Sequence, residues 1–411
     1  MILLQAETTQ PNTNTRLSDL ALARGLWLLL LAQFLSFLPS SAASIFVPTI
    51  SADLGRSVAL VGGLRSLGGV AALACGVLVA PLIDRIARAR SIAGGLLLLA
   101  VAALLAAFGS LPSLALFYVL LGAAGAVYQP ALQSAAADGR DAPTGARAAA
   151  MLSAMGALAP MLGGPLLAAT AGRVGWRGDY LISAGLILLV ATLAGATLDR
   201  RPPTGVARVG YRDAFRLVVA APGALPLLLG STFRATVQFA WLSYLAAFLV
   251  ERFAVSTALV AVVWGMGGTC FFLANLAVGR LIGAATGDSW RTPERLLPAS
   301  LLILAVLTPL GLLVPTLPLA MATAALAAGA HGAAVAATIS LLVSRYAPLR
   351  GAILGLNAAG FNLGLFVGAA LGGLVLGVGG YNGLALALLL LAAAALAAIV
   401  WALRQGSPTA E

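Results

Sequence analysis

The 411-residue sequence has no lysine, one histidine and two cysteines, and only 9% of it is charged. Soluble domains carry about 25% charged residues. This chain therefore lacks the polar surface to cover a water-exposed globule. Without lysine it cannot build the Gly-rich loop ending in Lys that cradles nucleotide phosphates, so a P-loop ATPase is excluded. Cys75 and Cys270 lie far apart inside apolar runs. They argue against a disulfide framework, and a single histidine argues against a His/Cys metal site. No cofactor or metal is expected. The scattered acids and lone His331 make a poor catalytic cluster, so the chain does not read as an enzyme.

What it has instead is 61% hydrophobic residues, rich in Ala, Leu and Gly. Small residues let helices pack closely in lipid. A membrane span needs about 20 apolar residues, and twelve such runs can be read. The first six are Leu22–Ile50, Val58–Ala80, Ser91–Gly109, Leu114–Gln133, Ala148–Ala171 and Tyr180–Leu198. The next six are Leu217–Val250, Thr257–Ile282, Leu297–Val314, Leu317–Val343, Ala352–Gly377 and Asn382–Leu403. The runs do not alternate in polarity, which excludes β-barrel strands. Leu217–Val250 is too long for one span, so part of it should approach along the interface. The polar N-terminus lacks the basic start and apolar core of a cleaved signal peptide, and the first apolar run is expected to stay.

The net charge is +11, and all 24 basic residues are arginine. With the N-terminus inside, most of them fall on cytoplasmic segments. Arg56, Arg173, Arg177 and Arg252 alone fall on outer ones. That bias orients the chain with both termini cytoplasmic in the cell membrane. It also ties the charge to anionic lipid headgroups rather than to nucleic acid. The basic, Pro- and Gly-bearing stretch 199–216 separates a six-span half, 1–198, from a second, 217–411.

The halves carry traces of a repeat. CGVLVAPLIDR (Cys75–Arg85) aligns with CFFLANLAVGR (Cys270–Arg280), and RAAAMLSAMG (Arg147–Gly156) with RGAILGLNAAG (Arg350–Gly360). Duplicated halves around a central site are a transporter architecture.

Between spans two and three lies APLIDRIARAR. It resembles the loop signature of the major facilitator superfamily, G-x-L-x-D-R-x-G-R-R/K. Asp84, Arg85, Arg88 and Arg90 match it, with Ala80 and Ala87 in place of glycines and Ala89 in place of a basic residue. GALAPMLGG in span five resembles the exporter-branch G-P-x-x-G-G core through Gly156, Pro160, Gly163 and Gly164, with Ala159 in place of a glycine. GWRGDYLI (Gly175–Ile182) resembles the stretch entering helix six, and RGAILGLNAAGFNLG resembles helix eleven. The resemblance implies an all-α membrane fold of twelve helices in two pseudo-symmetric halves. It implies a latch role for Asp84, with Arg85, Arg88 and Arg90 as partners; for the arginines plain topological anchoring is the alternative.

Polar groups deep in a span are costly and often functional. Arg234 is the sharpest case, with Gln238 and Trp241 on the same helical face. An arginine snorkelling to the interface is the alternative. His331 in span ten is a substrate or proton site, or a buried structural residue. Arg65, near the outer end of span two, reads best as snorkelling outward. The resemblance implies that spans one, four, seven and ten line the cavity. Gln33, Phe37 and Ser40, then Tyr128 and Gln129, become candidates, with Asn357 of span eleven for pocket or packing. No Asp or Glu sits mid-membrane in these spans.

Two transport readings remain, the first of them favoured over the second. One is proton-coupled efflux of a small amphipathic compound, suggested by GALAPMLGG. The other is uptake or exchange of a small organic anion, suggested by Arg234. A non-transporting receptor or assembly protein is a third possibility. The expected partners are a small-molecule substrate, a coupling proton and membrane lipids, with the chain acting as a monomer.

Overall fold

The computed structural model describes residues 19–83, 86–140, 142–198, 211–283 and 292–405. Regular structure among these residues is helical throughout. Eleven helical stretches are long and apolar enough to cross a membrane, the last of them the 55-residue helix Arg350–Arg404. That helix is interrupted at Gly380 (φ 58°, ψ −158°) and so folds as two spans. Helix Ala142–Thr197 is broken in the same way at Gly175 (φ 67°, ψ 174°). Both residues occupy a backbone region essentially open only to glycine. The total is the expected twelve, and the two breaks stand at equivalent points, between spans five and six and between eleven and twelve.

Span one is built in pieces, Trp27–Ser36, Leu38–Ile45 and Val47–Asp53, and the second and third pieces each begin with a proline in their first turn. Proline is tolerated there and breaks a helix further in. Span two follows as Val58–Gly63 and Arg65–Ile83, span three as Arg88–Phe108 and span four as Leu111–Ala137. Ser110 and Ser113 form a reciprocal capping box at the start of span four, satisfying amides with no helical partner. The long run from Leu217 resolves as anticipated into a short helix, Tyr211–Ala220, and span seven, Ala224–Phe253. Spans eight, nine and ten are Thr257–Gly283, Pro293–Leu313 and Leu317–Arg345. Residues 199–210 of the expected linker lie outside the described residues.

Twelve crossings bring the first and last described residues, Asp19 and Gln405, to one end of the bundle, called here the terminal end. The halves meet along two seams, span two against eleven and span five against eight. Both seams close through glycine. A Cβ on Gly69 would come 2.5 Å from the Phe366 amide nitrogen, and one on Gly164 would come 2.7 Å from the Ala261 carbonyl. Backbones approach this closely only where no side chain intervenes. The outer surface carries many exposed large apolar residues, including Leu189, Ile303, Val306 and Leu390. In water such a belt would drive aggregation; in a bilayer it is the surface that contacts lipid. The chain is a multi-pass membrane protein.

Candidate functional site

A cavity of about 2090 Å³ lies between the halves. This exceeds the roughly 300–1,000 Å³ that holds a drug-sized ligand, because the space continues to an open mouth. The mouth is at the terminal end, where Phe215, Leu217, Arg280 and Leu349 border it. At the far end the helices converge. A Cβ on Gly62 would strike the Tyr244 ring, and the Tyr244 hydroxyl donates to the Ala369 carbonyl at 2.7 Å.

Arg234 stands three turns into span seven and is only 4% exposed. It cannot snorkel, because the start of the helix lies about 15 Å below it. Its guanidinium faces the cavity. One nitrogen reaches Gln238 Oε1 at a long 3.4 Å, and Nε has no partner. Among the described residues no carboxylate lies within ion-pair distance of it. His331 borders the same cavity, buried, with neither ring nitrogen partnered. Its position follows from close packing. At Gly332 a Cβ would collide with the Phe271 carbonyl, so span ten lies directly on span eight.

Arg65 does not snorkel outward, and the structure overturns that expectation. It is 9% exposed and turned into the protein, where it donates to Ser44 Oγ and, at 3.5 Å, to Ser40 Oγ. Its guanidinium also lies 5.4 Å from the Phe239 ring centre, within cation–π range. Span two therefore presents a cation to the cavity, held by span one and touching span seven. The start of span two is a separate short helix, Val58–Gly63, capped by Ser57. This sets Arg65 at the head of the next piece, pointing inward.

All ten candidate lining residues border this one cavity: Gln33, Phe37, Ser40, Tyr128, Gln129, Arg234, Gln238, Trp241, His331 and Asn357. Asn357 is also tied to the second half's own packing, since it accepts from Ser231 Oγ at 2.7 Å. Reading the sequence missed Arg65, Tyr118, Phe239, Trp264 and Asn275 as lining groups. Three are aromatic residues without a distinguishing signal in an apolar run. Asn275 stood out by polarity, and its amide donates to the Gly332 carbonyl at 3.1 Å. The lining is mostly apolar. Its charged members among the described residues are Arg65, Arg234 and, at the mouth, Arg280; none is a carboxylate.

Of the two motifs, only Gly156 of span five borders the cavity among the described residues. Asp84 and Arg85 fall outside the described residues. Arg88 heads span three, where its Nε lies 3.5 Å from Asp138 at the end of span four. Arg90 is exposed. In span five, Gly156 packs near Gln33 and Phe37, Gly163 near Leu38 and Ser41, and Gly164 forms the seam with span eight. Pro160 lies within the same helix, whose non-helical residue is Gly175 rather than Pro160.

At the far end each half ties off the tip of its first helix. Trp176 Nε1 donates to Asp53 Oδ2 at 2.8 Å, and Arg177 pairs with the same oxygen at 3.1 Å. In the second half the Tyr381 hydroxyl donates to Glu251 at 2.9 Å. In both cases the partner follows the glycine break directly.

The chain matches the model of the Major Facilitator Superfamily over residues 29–291. Among solved structures it resembles a bacterial homologue of the human lysosomal transporter Spinster in an inward-facing, unoccupied conformation. The TM-score is 0.78 at 19% identity, covering 96% of this chain and 100% of that one. The inward-facing, occupied form of that homologue gives a TM-score of 0.75 at 19% identity, covering 95% and 99%. The nucleoside transporter NupG gives 0.72 at 16% identity, covering 93% and 99%. At these identities the structural likeness speaks for the fold. No curated protein matches the sequence.

Proposed function

The chain belongs to the major facilitator superfamily, and we propose that it carries a small organic anion through the central cavity by alternating access. One observation carries this reading. Arg234 is buried at the cavity wall with no carboxylate beside it among the described residues. A buried charge without a counter-charge is strongly unfavourable, and an anionic substrate supplies what the protein omits. The apolar, aromatic remainder of the wall suits a substrate with a greasy body. Proton-exchanging efflux of cationic compounds has less support, because it would bring a cation against two arginines.

With both termini cytoplasmic, the orientation that the arginine bias supports, a mouth at the terminal end corresponds to an inward-open state. Rocking about the glycine seams would open the far end and close this one. The halves act as units, 1–198 and 217–411, joined by 199–216. A coupling proton would use His331, whose ordinary pKa lies nearest neutrality among the lining groups. Asp84, with Arg85, Arg88 and Arg90, would latch helix ends at the terminal side once that side closes.

The test is counterflow in proteoliposomes, using size-matched anionic, cationic and neutral compounds. Anions should exchange. Arg234→Gln should lower their exchange by about thirtyfold or more, the loss typical of removing one partner of a buried charge pair. Exchange of cations or neutral compounds that survives Arg234→Gln would refute the anion reading and restore amphipathic efflux.

A further inference from the structure

We infer that the substrate carries two acidic ends, one received by each half of the protein. This rests on the anion reading above and adds Arg65 as a second binding group. Arg234 belongs to the second half and Arg65 to the first. Both line the same cavity, and both are at least nine-tenths buried. Together they place two positive charges in it, and the lining offers no carboxylate among the described residues. A monoanion would leave one of them uncompensated, which is costly away from water. A dianion neutralises both.

The spacing selects the kind of dianion. Arg65 is anchored beside Phe239, with its guanidinium 5.4 Å from the ring centre. Phe239 lies five residues beyond Arg234 on span seven, about 7.5 Å along the helix axis. Two points so far apart suit acids at opposite ends of a short chain rather than one compact group. The same cavity wall includes the aromatic residues Phe37, Trp241 and Phe361, which suit an apolar middle.

The arrangement also links binding to movement. Arg65 and Arg234 ride on halves that shift relative to each other, so only some states hold both at the right separation. A ligand that pairs with both therefore distinguishes states, and only such differential binding can shift a conformational equilibrium. The bonds of Arg65 to Ser44 and Ser40 position its guanidinium and leave donor capacity for a carboxylate.

The experiment is equilibrium binding to the purified full chain, read by tryptophan fluorescence, since Trp241 and Trp264 line the cavity. The probes are adipate, hexanoate and inorganic phosphate. The proteins are wild type, Arg65→Gln, Arg65→Lys and Arg234→Gln. Adipate should bind about tenfold or more tighter than hexanoate, as a close, desolvated charge pair allows. Phosphate should gain no such advantage. Arg65→Gln should bring adipate down to the hexanoate level and leave hexanoate within about twofold. Arg65→Lys should keep part of the difference. The inference is overturned if adipate and hexanoate bind alike, if phosphate matches adipate, or if Arg65→Gln weakens both acids equally, as a purely structural arginine would. If none of the three binds wild type, the anion reading itself fails. If adipate binds no tighter than hexanoate and both depend on Arg234 but not on Arg65, the anion reading stands without this one.

Discussion

The two halves share a frame and differ in what they present to the cavity. Each has a glycine break between its last two spans, Gly175 and Gly380, and an aromatic residue just beyond it that grips an acid at the tip of its first helix. Each also contributes to both seams. Span one, however, is assembled from three pieces, whereas its counterpart, span seven, is one 30-residue helix. The arginines differ in the same sense. Arg65 is already engaged by two serines and a phenylalanine, while Arg234 has one long contact and a free Nε. On the alternating-access proposal the shared features would set the hinge and closure, and the unshared ones the chemistry, which has no need to be symmetric.

That comparison can be broken in graded ways. The largest effect should come from the seams. Gly69→Ala and Gly164→Ala force a Cβ into a facing backbone that cannot yield as a side chain would. Each should lower stability by about 1–3 kcal/mol, visible as a lower unfolding temperature in detergent, together with slowed exchange. If the seams are equivalent, the two losses should be similar. Next come Gly175→Ala and Gly380→Ala, each losing about 1–3 kcal/mol through backbone strain, but with the cavity untouched. They should lower the unfolding temperature and leave the affinity of bound anions unchanged; a matching affinity loss would show that the breaks shape the cavity after all. His331→Gln should change little at fixed pH but alter the pH profile of exchange if this residue carries the coupling proton. An unaltered profile would remove His331 as the proton site. The smallest effects belong to the far-end ties. The Asp53–Arg177 pair is roughly half-exposed, so Asp53→Asn should cost no more than about 1 kcal/mol. Glu251→Gln should cost less still, because the amide oxygen can still accept from Tyr381 and no ion pair is lost.

The fold was readable because lipid imposes it. Apolar runs of span length and a one-sided arginine distribution follow directly from the bilayer as solvent. Arg234 and His331 stood out for the same reason, as polar groups where they are expensive. Arg65 did not. Near a span end, snorkelling is the ordinary outcome, and nothing local reveals that Ser40 and Ser44, more than twenty residues earlier, turn it inward. Phe239 and Trp264 were hidden in the opposite way, since an aromatic residue in an apolar run looks the same whether it faces lipid, core or cavity. The closeness of Gly69 to Phe366 depends on a contact across some three hundred residues, and no short motif records it.

Charge reversal at Arg234 tests the central claim most directly. In proteoliposomes, Arg234→Glu should abolish exchange of organic anions and admit size-matched organic cations that wild type excludes. An Arg234→Glu protein that folds, keeps its anion preference and still rejects cations would contradict the account.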